Sequence, residues 1–475
     1  MQRLQRWLLE GDGHGSGPAV AWLFQRLLAL CMAGAFASLA VQVGPLLSSR
    51  GILPWAPFAQ LLHDQHVSLL DAPSLLRFTP SDGALVGLAW FGAGLSLLAL
   101  FDIAPRAMLG IGGLLYLSFV TAGRDFFTFQ WDAMLIESAL LAVFLPTDRP
   151  ARWIHLLFRV LLFKLYFESG IAKWSSVLGD WKSGSAMTLY YETAPIPTWL
   201  AYFMHHLPAG WHHLESWATL VLELLVPLLI FGPRWPRRIA FAAFSFFQVM
   251  DLLTANYGFF CYLSLALGVF LLDDRDLPFA RPRNPPKRWE HPALLVGMMS
   301  IYLVLSTIAA WPLVDPRGMP EWARTVRRAE SPFWAVNAYH LFASITTTRL
   351  EPRLQTLENG NWVTHPLRYE PGPPNRAPPF VAPHQPRLDF QMWFYGLRPR
   401  GQPPEYVDGL LTQLCKDPSA IQKLFPDPLP EKPDAVRVNF ARYTFATAEE
   451  HARTGAYWHV QELGVGPELD CAELR

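Results

Sequence analysis

The chain carries little charge for its length. Only 16% of its 475 residues are Asp, Glu, Lys or Arg, whereas 51% are hydrophobic. Acidic and basic residues balance at 39 each, so the sequence has neither the basic excess of a nucleic-acid-binding protein nor an acidic tail. A chain of this composition cannot be folded entirely into soluble domains, because its surface would lack charge. We expect membrane lipids, and no nucleic acid, among its partners.

Motifs of the common catalytic and metal sites are also missing. The sequence has no HExxH, no GxSxG, no Walker A loop and no GxGxxG after a strand. Its four cysteines include no CxxC pair. Four histidines fall close together, but their spacing matches no compact helical metal site: His205, His206, His212 and His213. We therefore expect no catalytic residue, no bound metal and no cofactor.

Long apolar runs predict a bundle of about nine transmembrane helices. The windows are 19–41, 83–101, 104–122, 129–146, 153–171, 216–232, 238–255, 259–272 and 293–311. The windows 238–255 and 259–272 are joined by three residues, so they form either a tight hairpin or one re-entrant unit. We expect the bundle to occupy residues 1–311.

The positions of Lys and Arg predict the orientation of this bundle. One side carries thirteen of them: Arg3, Arg6, Arg106, Arg149, Arg152, Arg234, Arg237, Arg238, Arg275, Arg281, Arg283, Lys287 and Arg288. The other side carries five: Arg50, Arg77, Arg124, Lys173 and Lys182. Cytoplasmic loops of membrane proteins carry the excess of Lys and Arg, so this positive-inside rule places the first side, and with it the N-terminus, in the cytoplasm. An odd number of spans then exports the C-terminus.

After Trp311 the apolar runs stop and prolines accumulate, so residues 312–475 are expected to form an exported soluble α+β domain. Residues 405–415 have helical periodicity, and 456–462 alternate as a strand does. Alternation changes phase within 436–445, which predicts a bulged strand in a mostly antiparallel sheet. Cys415 and Cys471 can pair if this side is oxidising, and the sequence leaves their redox state open.

Polar and ionisable residues inside the predicted bundle form a second candidate site, because each is costly in hydrocarbon unless paired or hydrated. A buried network that fixes helix packing is the simpler interpretation, and a substrate-binding cluster is the alternative. Lys164 is expected to pair with Glu168, four residues on, or with a carboxylate of another helix. The proposed network comprises Asp132, Glu137, Arg159, Lys164, Glu168, Asn256 and Tyr257.

Several segments resemble motifs of one known family. Residues 129–137 read FQWDAMLIE and resemble the FQWDxLLLE motif of the lipase maturation factor family. Residues 158–173 and 191–197 resemble its LFRLMFxSGLVK and YETQPLP segments, and 253–260 its LTGNYxFFN. Residues 382–394, APHQPRLDFQMWF, are similar to APHQPRLDWQMWF. The resemblance covers about residues 120–475.

This resemblance implies a multi-pass protein that helps dimeric lipases fold and assemble in the endoplasmic reticulum, with its C-terminal domain in the lumen. The sequence lacks an N-x-[ST] sequon, and its Arg, Pro and Ala content favours a bacterial member, for which the exported side is the periplasm and the membrane is the inner membrane. The implied partner is an exported client protein, possibly a lipase.

The motifs supply candidates for client binding or for docking of the C-terminal domain on the bundle: His384, Gln385, Arg387, Asp389, Tyr191 and Glu192. Prolines 383 and 386 restrict the backbone here, and the polar groups need partners. In either role, we expect Arg387 or Asp389 near the exported helix ends, close to the 172–215 segment.

Two other functions stay open. The bundle is distantly similar to the membrane part of vitamin K-dependent carboxylases, so a membrane enzyme acting with a lipidic cofactor is the main alternative. A lipid-accessible cavity lined by Lys164 would favour it. A transporter is the third possibility, although the sequence shows no internal repeat. We favour a non-enzymatic assembly factor.

Overall fold

A computed structural model describes residues 17–279, 281, 284, 292–398 and 402–474. Five of the cations used to predict the orientation lie outside the described residues: Arg3, Arg6, Arg283, Lys287 and Arg288.

The N-terminal two thirds of the chain form a helical bundle. Apolar composition drives its long helices, and Pro18 begins the first of them at a position where its missing N–H costs nothing. Its helices are α1 (Pro18–Ala40), α2 (Val43–Leu47), α3 (Trp55–Asp64), α4 (Asp82–Leu100), α5 (Pro105–Gly123), α6 (Gln130–Ala142), α7 (Arg152–Trp174), α8 (Ala186–Thr193), α9 (Trp199–His205), α10 (Ala209–Leu224), α11 (Arg234–Thr254), α12 (Phe260–Gly268) and α13 (Pro292–Val314).

Membrane-spanning helices are confirmed in this bundle, and their number remains a prediction. A helix occupies each of the nine sequence windows. Among the described residues, five segments are both long and apolar enough to cross a bilayer: Pro18–Ala40, Asp82–Leu100, Pro105–Phe127, Ala209–Phe231 and Ala293–Val314. The others are shorter, as α6 and α12 are, or more highly charged, as α7 and α11 are.

The predicted antiparallel sheet is present in the C-terminal region, with strand order β2-β1-β3-β4. It contains β1 (Arg349–Glu358), β2 (Asn361–His365), β3 (Ala435–Phe445) and β4 (Trp458–Asp470). Register shifts between β3 and β4 at Arg437/Asn439 and Phe440/Ala441 confirm the bulge that the change of phase predicted.

Helices accompany the sheet: α14 (Glu321–Glu330), α15 (Arg387–Gly396), α16 (Glu405–Lys416), α17 (Pro418–Ile421) and α18 (Ala448–Thr454). A disulfide joins Cys415 at the end of α16 to Cys471 after β4. Helix α16 also contacts the bundle, since Gln413 Nε2 donates to the Gly51 carbonyl at 3.2 Å. The disulfide therefore ties the edge of the sheet to a helix that rests on the bundle.

One hydrophobic core runs through both parts of the molecule. Buried Phe129 and Trp131, at the start of α6, pack against Phe390 of α15 at 5.3 and 5.4 Å between ring centroids. The same core continues to Val436 and Val438 of β3. The C-terminal region is thus packed on the bundle, and many of the polar groups between them are buried.

Candidate functional site

Arg387, the first residue of α15, binds the start of α6. Its guanidinium donates to both carboxylate oxygens of Asp132, at 2.9 and 3.0 Å. It also donates to the Tyr116 hydroxyl at 2.8 Å and to the Phe126 carbonyl at 2.6 Å. The side chain is 1% exposed and lies 3.6 Å above the Phe127 ring. Bidentate pairing of this kind strengthens the interaction and also fixes the relative orientation of the two side chains.

Helix α1 binds the residues just before Arg387. The Ser38 hydroxyl lies 2.9 Å from His384 Nδ1 and accepts the Gln385 N–H at 2.9 Å. One turn on, Gln42 Nε2 donates to the Gln385 carbonyl at 2.8 Å, and its Oε1 accepts the Arg387 N–H at 3.1 Å. Ser38 and Gln42 were not predicted. Two polar residues four apart, one in the last turn of α1 and one just beyond it, were the available signal.

The break between α11 and α12 places Asn256 against the proline-rich segment. The Asn256 amide donates to the Pro379 carbonyl at 2.8 Å and accepts the backbone N–H groups of Val381 and Ala382. Next to it, the Tyr257 and Tyr190 hydroxyls lie 2.7 Å apart. Both polar atoms of the Asn256 side chain therefore bind main-chain groups of the C-terminal region.

Glu137 is the centre of a second cluster, deeper in the bundle. Lys164 donates to its Oε1 at 2.9 Å, and so does Tyr302 at 2.6 Å. Its Oε2 accepts from the Asn337 N–H, the Asn337 side chain and the Tyr339 hydroxyl at 2.7 to 3.1 Å. All these groups are buried, so the carboxylate is held by five donors in a dry site. Lys164 thus pairs with a carboxylate of another helix, α6.

The C-terminal half of α7 continues this contact with the chain after residue 337. Glu168 accepts the Tyr339 N–H at 2.7 Å. Lys173 donates to the Leu341 carbonyl and to Glu223, both at 2.8 Å. Glu137, Glu168 and Lys173 therefore connect the bundle to residues 337–341 of the C-terminal region.

The bundle and the C-terminal region meet along a contact surface that we call the junction. The 172–215 segment forms its other side. Glu192 accepts the Phe445 N–H of β3 at 2.7 Å, and burial raises the pKa of this carboxyl. Arg349 of β1, fully buried, donates to the carbonyls of Glu192, Ala194 and Pro195. Trp393 of α15 donates to the Thr193 carbonyl at 3.0 Å. Sequence reasoning missed Arg349, because a buried arginine on a central strand resembles an exposed one in sequence.

Three predicted residues lie apart from these contacts. Tyr191 donates to Glu215 at 2.8 Å within the 172–215 segment. Arg159, five residues before Lys164 in α7, donates to the Phe270 carbonyl at 2.9 Å. Asp389 accepts the Tyr369 N–H at 2.8 Å inside the C-terminal region, and burial raises its pKa to about 7. The predicted approach to the 172–215 segment is made by Trp393, whereas Arg387 contacts α5, α6 and the turn between them.

A small cavity of about 60 Å³ lies between α7, α10 and α11, next to the C-terminal region. Its lining includes Lys173, Glu223, Asp251, Tyr190 and Tyr257, and the residues found to line it do not include Lys164. The histidines near this segment bind neighbouring groups, with His212 Nδ1 3.1 Å from Glu215. Within the described part of the chain, no three His, Cys, Asp or Glu residues are grouped to hold a metal.

These features define a class: an integral membrane protein whose helical bundle holds a C-terminal sheet through buried polar contacts. Residues 19–279 match the family described as the lipase maturation factor transmembrane domain, and residues 335–465 match the lipase maturation factor C-terminal domain. The chain belongs to the lipase maturation factor family.

Two curated relatives illustrate the extent of the similarity. The chain is 28% identical to Lipase maturation factor 1 of Bos taurus, over 90% of this chain and 85% of the relative. It is 28% identical to Lipase maturation factor 2 of Mus musculus, over 92% and 81% respectively. No solved structure matches the chain.

The Glu137 cluster predicts that Lys164→Met lowers the stability of the bundle by about 3 to 5 kcal/mol, because it leaves a buried carboxylate without its cation. Thermal unfolding of the purified chain in detergent measures this. Adding Glu137→Gln to Lys164→Met should restore part of the loss, since a neutral amide needs no counter-charge. Arg50→Met, at an exposed ion pair with Asp417, is the control and should leave the melting temperature unchanged. Equal melting temperatures for Lys164→Met and the wild type would contradict the proposed pairing.

Asp389 predicts a pH dependence of stability. Its folded pKa of about 7 exceeds the ordinary value of 3.8, so the folded chain holds a proton that the unfolded chain releases between these values. Stability should therefore fall as pH rises from about 4 to about 7, by up to about 1.4 kcal/mol per pH unit. Asp389→Asn, which keeps an acceptor for the Tyr369 N–H, should flatten this slope and be more stable than the wild type at pH 8.

Asp417→Asn is the matched control for this measurement. Arg50 holds the pKa of the Asp417 carboxyl down at about 2, so its contribution to stability changes only in stronger acid. Its melting curve should follow the wild type between pH 5 and 8. If the stabilities of Asp389→Asn and the wild type change in parallel with pH across that range, the inference that Asp389 is buried in its uncharged form is wrong.

Proposed function

We propose that this chain is a membrane-embedded maturation factor that assists the folding and assembly of exported client proteins, with lipases as its client class. The two curated relatives bear this activity in their names. The observation that carries the proposal is that the family's motifs meet at one junction, where Asp132 binds Arg387 and Glu192 binds β3. The motifs build a scaffold, and no bond-making chemistry is required of them.

The proposed topology exports residues 312–475 and places the N-terminus in the cytoplasm, with residues 1–311 crossing the membrane about nine times. The distribution of Lys and Arg supports this orientation. The Cys415–Cys471 disulfide supports it as well, because disulfides persist in the endoplasmic reticulum lumen and the periplasm but are rare in the cytosol. In a eukaryotic cell the membrane is that of the endoplasmic reticulum, and in a bacterium it is the inner membrane.

The proposed client-facing surface lies around the junction. The two long segments 42–82 and 172–215 lie on the side of the C-terminal region and carry exposed apolar side chains. Val177 is 98% exposed and Leu178 61%, at a turn between Ser176 and Gly179. Phe78 and Leu70 are each 69% exposed in the other segment. Apolar surface of this kind suits an incompletely folded client. Arg387 and Asp132 are buried, so we assign them to docking rather than to client contact.

The other functions receive less support. The comparisons give none to a membrane enzyme that uses a lipidic cofactor, and Lys164, which would line the cavity of such an enzyme, is engaged with Glu137. Transport is disfavoured because Glu137 and Glu168, two of the charged residues inside the predicted bundle, bind the C-terminal chain.

The topology predicts that a reporter fused after Arg475 is exported, whereas one inserted near Arg283 stays in the cytoplasm. Alkaline phosphatase, which is active only when exported, and a fluorescent protein that matures in the cytoplasm give opposite signals at the two sites. The same signal at both sites would rule out an odd number of spans between them.

The function predicts that this chain raises the specific activity of a secreted lipase when both are expressed in cells without another maturation factor. Val177→Ser combined with Leu178→Ser should lower that activity without changing the stability of the chain, because these side chains are exposed. Arg387→Ala should lower stability and lipase activity together, because it undocks the C-terminal region. The measurement is lipase activity per unit of secreted lipase protein.

Arg106→Ala, at an exposed side chain in the first turn of α5 and remote from the proposed client-facing surface, is the control and should behave as the wild type. If the wild-type chain accumulates in the membrane and lipase activity does not rise, lipases are not its clients. If Arg387→Ala lowers lipase activity while stability is unchanged, Arg387 contacts the client and the docking role is wrong.

A further inference from the structure

The small cavity beside Lys173 continues into a groove on the outside of the bundle, which we call the outer groove. The outer groove has a volume of about 280 Å³ and lies between α10 and α11, with α8 beside them. Tyr190, Thr219, Phe247 and Asp251 line both the small cavity and the outer groove, so the two spaces form one cleft. Neither the docking contacts nor the proposed client-facing surface accounts for this cleft.

Most of the side chains that line the outer groove are apolar. Helix α10 belongs to the segment Ala209–Phe231, which is long and apolar enough to cross a membrane. Three large side chains of the lining are exposed, Trp211 by 46%, Leu214 by 59% and Phe246 by 69%. Exposed apolar side chains on a membrane-spanning segment contact lipid tails. A hydrocarbon chain from the bilayer can therefore lie in the outer groove.

The small cavity at the inner end of the cleft is lined by acceptors that lack donors. Lys173 donates to one oxygen of Glu223 at 2.8 Å, but no donor among the described residues reaches the other oxygen. The Gln248 amide donates to the Tyr166 hydroxyl at 3.1 Å, and its oxygen likewise has no partner in the described structure. Glu223 is 3% exposed and Gln248 1%. Buried acceptors of this kind are costly unless a bound molecule supplies the hydrogen.

Asp251 adds a further acceptor where the small cavity meets the outer groove. Within the described ranges of the chain, no hydrogen bond reaches its carboxyl group. Lys173 is already shared between Glu223 and the Leu341 carbonyl. The lining of the small cavity thus carries two carboxyl groups and one ammonium group. This surplus of acceptors disfavours an anionic head group and favours one that donates hydrogen bonds.

The size of the small cavity and its tyrosine hydroxyls favour a head group with several hydroxyls. About 60 Å³ gives room for about four water-sized groups, each of which needs about 15 Å³. A glycerol head fits this space better than the larger phosphocholine head. The Tyr190 and Tyr257 hydroxyls lie 2.7 Å apart, so one of their two hydrogens joins them and the other is left to donate. A lipid hydroxyl can accept from tyrosine and donate to a carboxylate, whereas an ammonium group can only donate.

We propose that the cleft binds a neutral single-chain lipid with a hydroxyl-bearing head, of the monoacylglycerol class. The hydroxyls of the head donate to Asp251 and Glu223, and the acyl chain lies in the outer groove between α10 and α11. The proposal assigns no reaction to the cleft. It is also independent of the client, so its failure would leave the maturation function untouched.

The experiment places the purified full chain in phosphatidylcholine nanodiscs with a monoacylglycerol that carries a photoreactive diazirine in its acyl chain. After illumination, mass spectrometry identifies the labelled peptides. Competitors with matched chains separate the possible causes of binding. Monoolein has two free hydroxyls and methyl oleate has none, oleyl sulfate is an anion, oleylamine is a cation, and oleoyl lysophosphatidylcholine has a bulky head.

Two variants test the two ends of the cleft. Ala218 is exposed and lines the outer groove, so Ala218→Phe fills the groove without entering the core. Ala242→Phe is the matched control, because it makes the same change at an exposed alanine of α11 that is not among the residues found to line the cleft. Asp251→Leu removes the acceptor and covers the case in which Ala218→Phe fails to fold. Thermal unfolding should show no loss of stability for Asp251→Leu, since no hydrogen bond within the described chain is broken.

We expect labelled peptides from α10 and α11 in the wild type and in Ala242→Phe, with monoolein competing equally well in both. Monoolein should compete about tenfold more weakly in Ala218→Phe, which blocks the chain, and in Asp251→Leu, which removes an acceptor for the head. In the wild type, the other four competitors should each be about tenfold weaker than monoolein.

Wild-type chain without label on α10 or α11 would overturn the proposal and leave water as the occupant of the small cavity. Methyl oleate that competes as well as monoolein would show an apolar groove without a head-group site. Stronger competition by oleylamine or oleyl sulfate would show an ion site, and either result would overturn the hydroxyl assignment. Unchanged competition by monoolein in both test variants would overturn the placement of the lipid in the cleft, and a less stable Asp251→Leu would overturn the role of Asp251 as an acceptor for the lipid.

Discussion

Carboxylates buried in an apolar bundle need donors, and this requirement links the two parts of the molecule. Asp132, Glu137 and Glu168 lie on bundle helices, yet each receives hydrogen bonds from the C-terminal chain: from Arg387, from Asn337 and Tyr339, and from the Tyr339 N–H. Without that chain, each carboxylate would lose donors in a site where water cannot replace them. The stability of the bundle therefore depends on the docked C-terminal region.

Much of this docking uses backbone atoms. Asn256 binds the N–H groups of Val381 and Ala382, Gln42 binds the Gln385 carbonyl, and Lys173 binds the Leu341 carbonyl. Contacts to the main chain fix the path of a segment while leaving its side chains little constrained. Arg387 differs, because both of its terminal nitrogens are used by side chains of the bundle and by the Phe126 carbonyl. A shorter or neutral residue cannot make those contacts.

The sequence was informative where a pattern has one physical cause. Apolar windows located the helices, and the change of phase in 436–445 located a bulge in β3. The sequence could not determine the number of spans. Helix α6, with 13 residues, is too short to cross a bilayer, and most of its side chains are buried against neighbouring helices. Strands β1 and β2 were not predicted. Pro352 and the buried charges Arg349 and Glu351 disrupt the alternation of β1, although it lies in the middle of the sheet.

The sequence identified several residues of the site but not the pairs that they form. Charge inside an apolar window identified Asp132 and Lys164 as residues that need partners, and the family motif identified Arg387. Which groups meet depends on contacts between residues more than 200 positions apart, such as Asp132 with Arg387, and local patterns carry no information about them. Among the partners that were missed, Arg349 has ordinary sequence surroundings and gains its role only from the docked segment. Ser38 and Gln42 carried a signal, since they are two polar residues four apart where an apolar helix ends.

Two separate attachments determine how the C-terminal region can act. Helix α15 is held through Arg387 inside the bundle, and α16 rests on the 42–82 segment, where Gly409 approaches the Ile52 carbonyl so closely that a Cβ would collide with it. The disulfide joins α16 to the end of β4, and α15 packs against β1, so the sheet is attached at two of its strands. A single attachment would let the sheet pivot about one helix, whereas two fix its orientation relative to the bundle. The exposed apolar turn at Val177 then keeps a constant position relative to the sheet. A client that contacted both would bind a preformed surface. Binding would then require little further loss of conformational entropy by the factor, because folding has already ordered this surface.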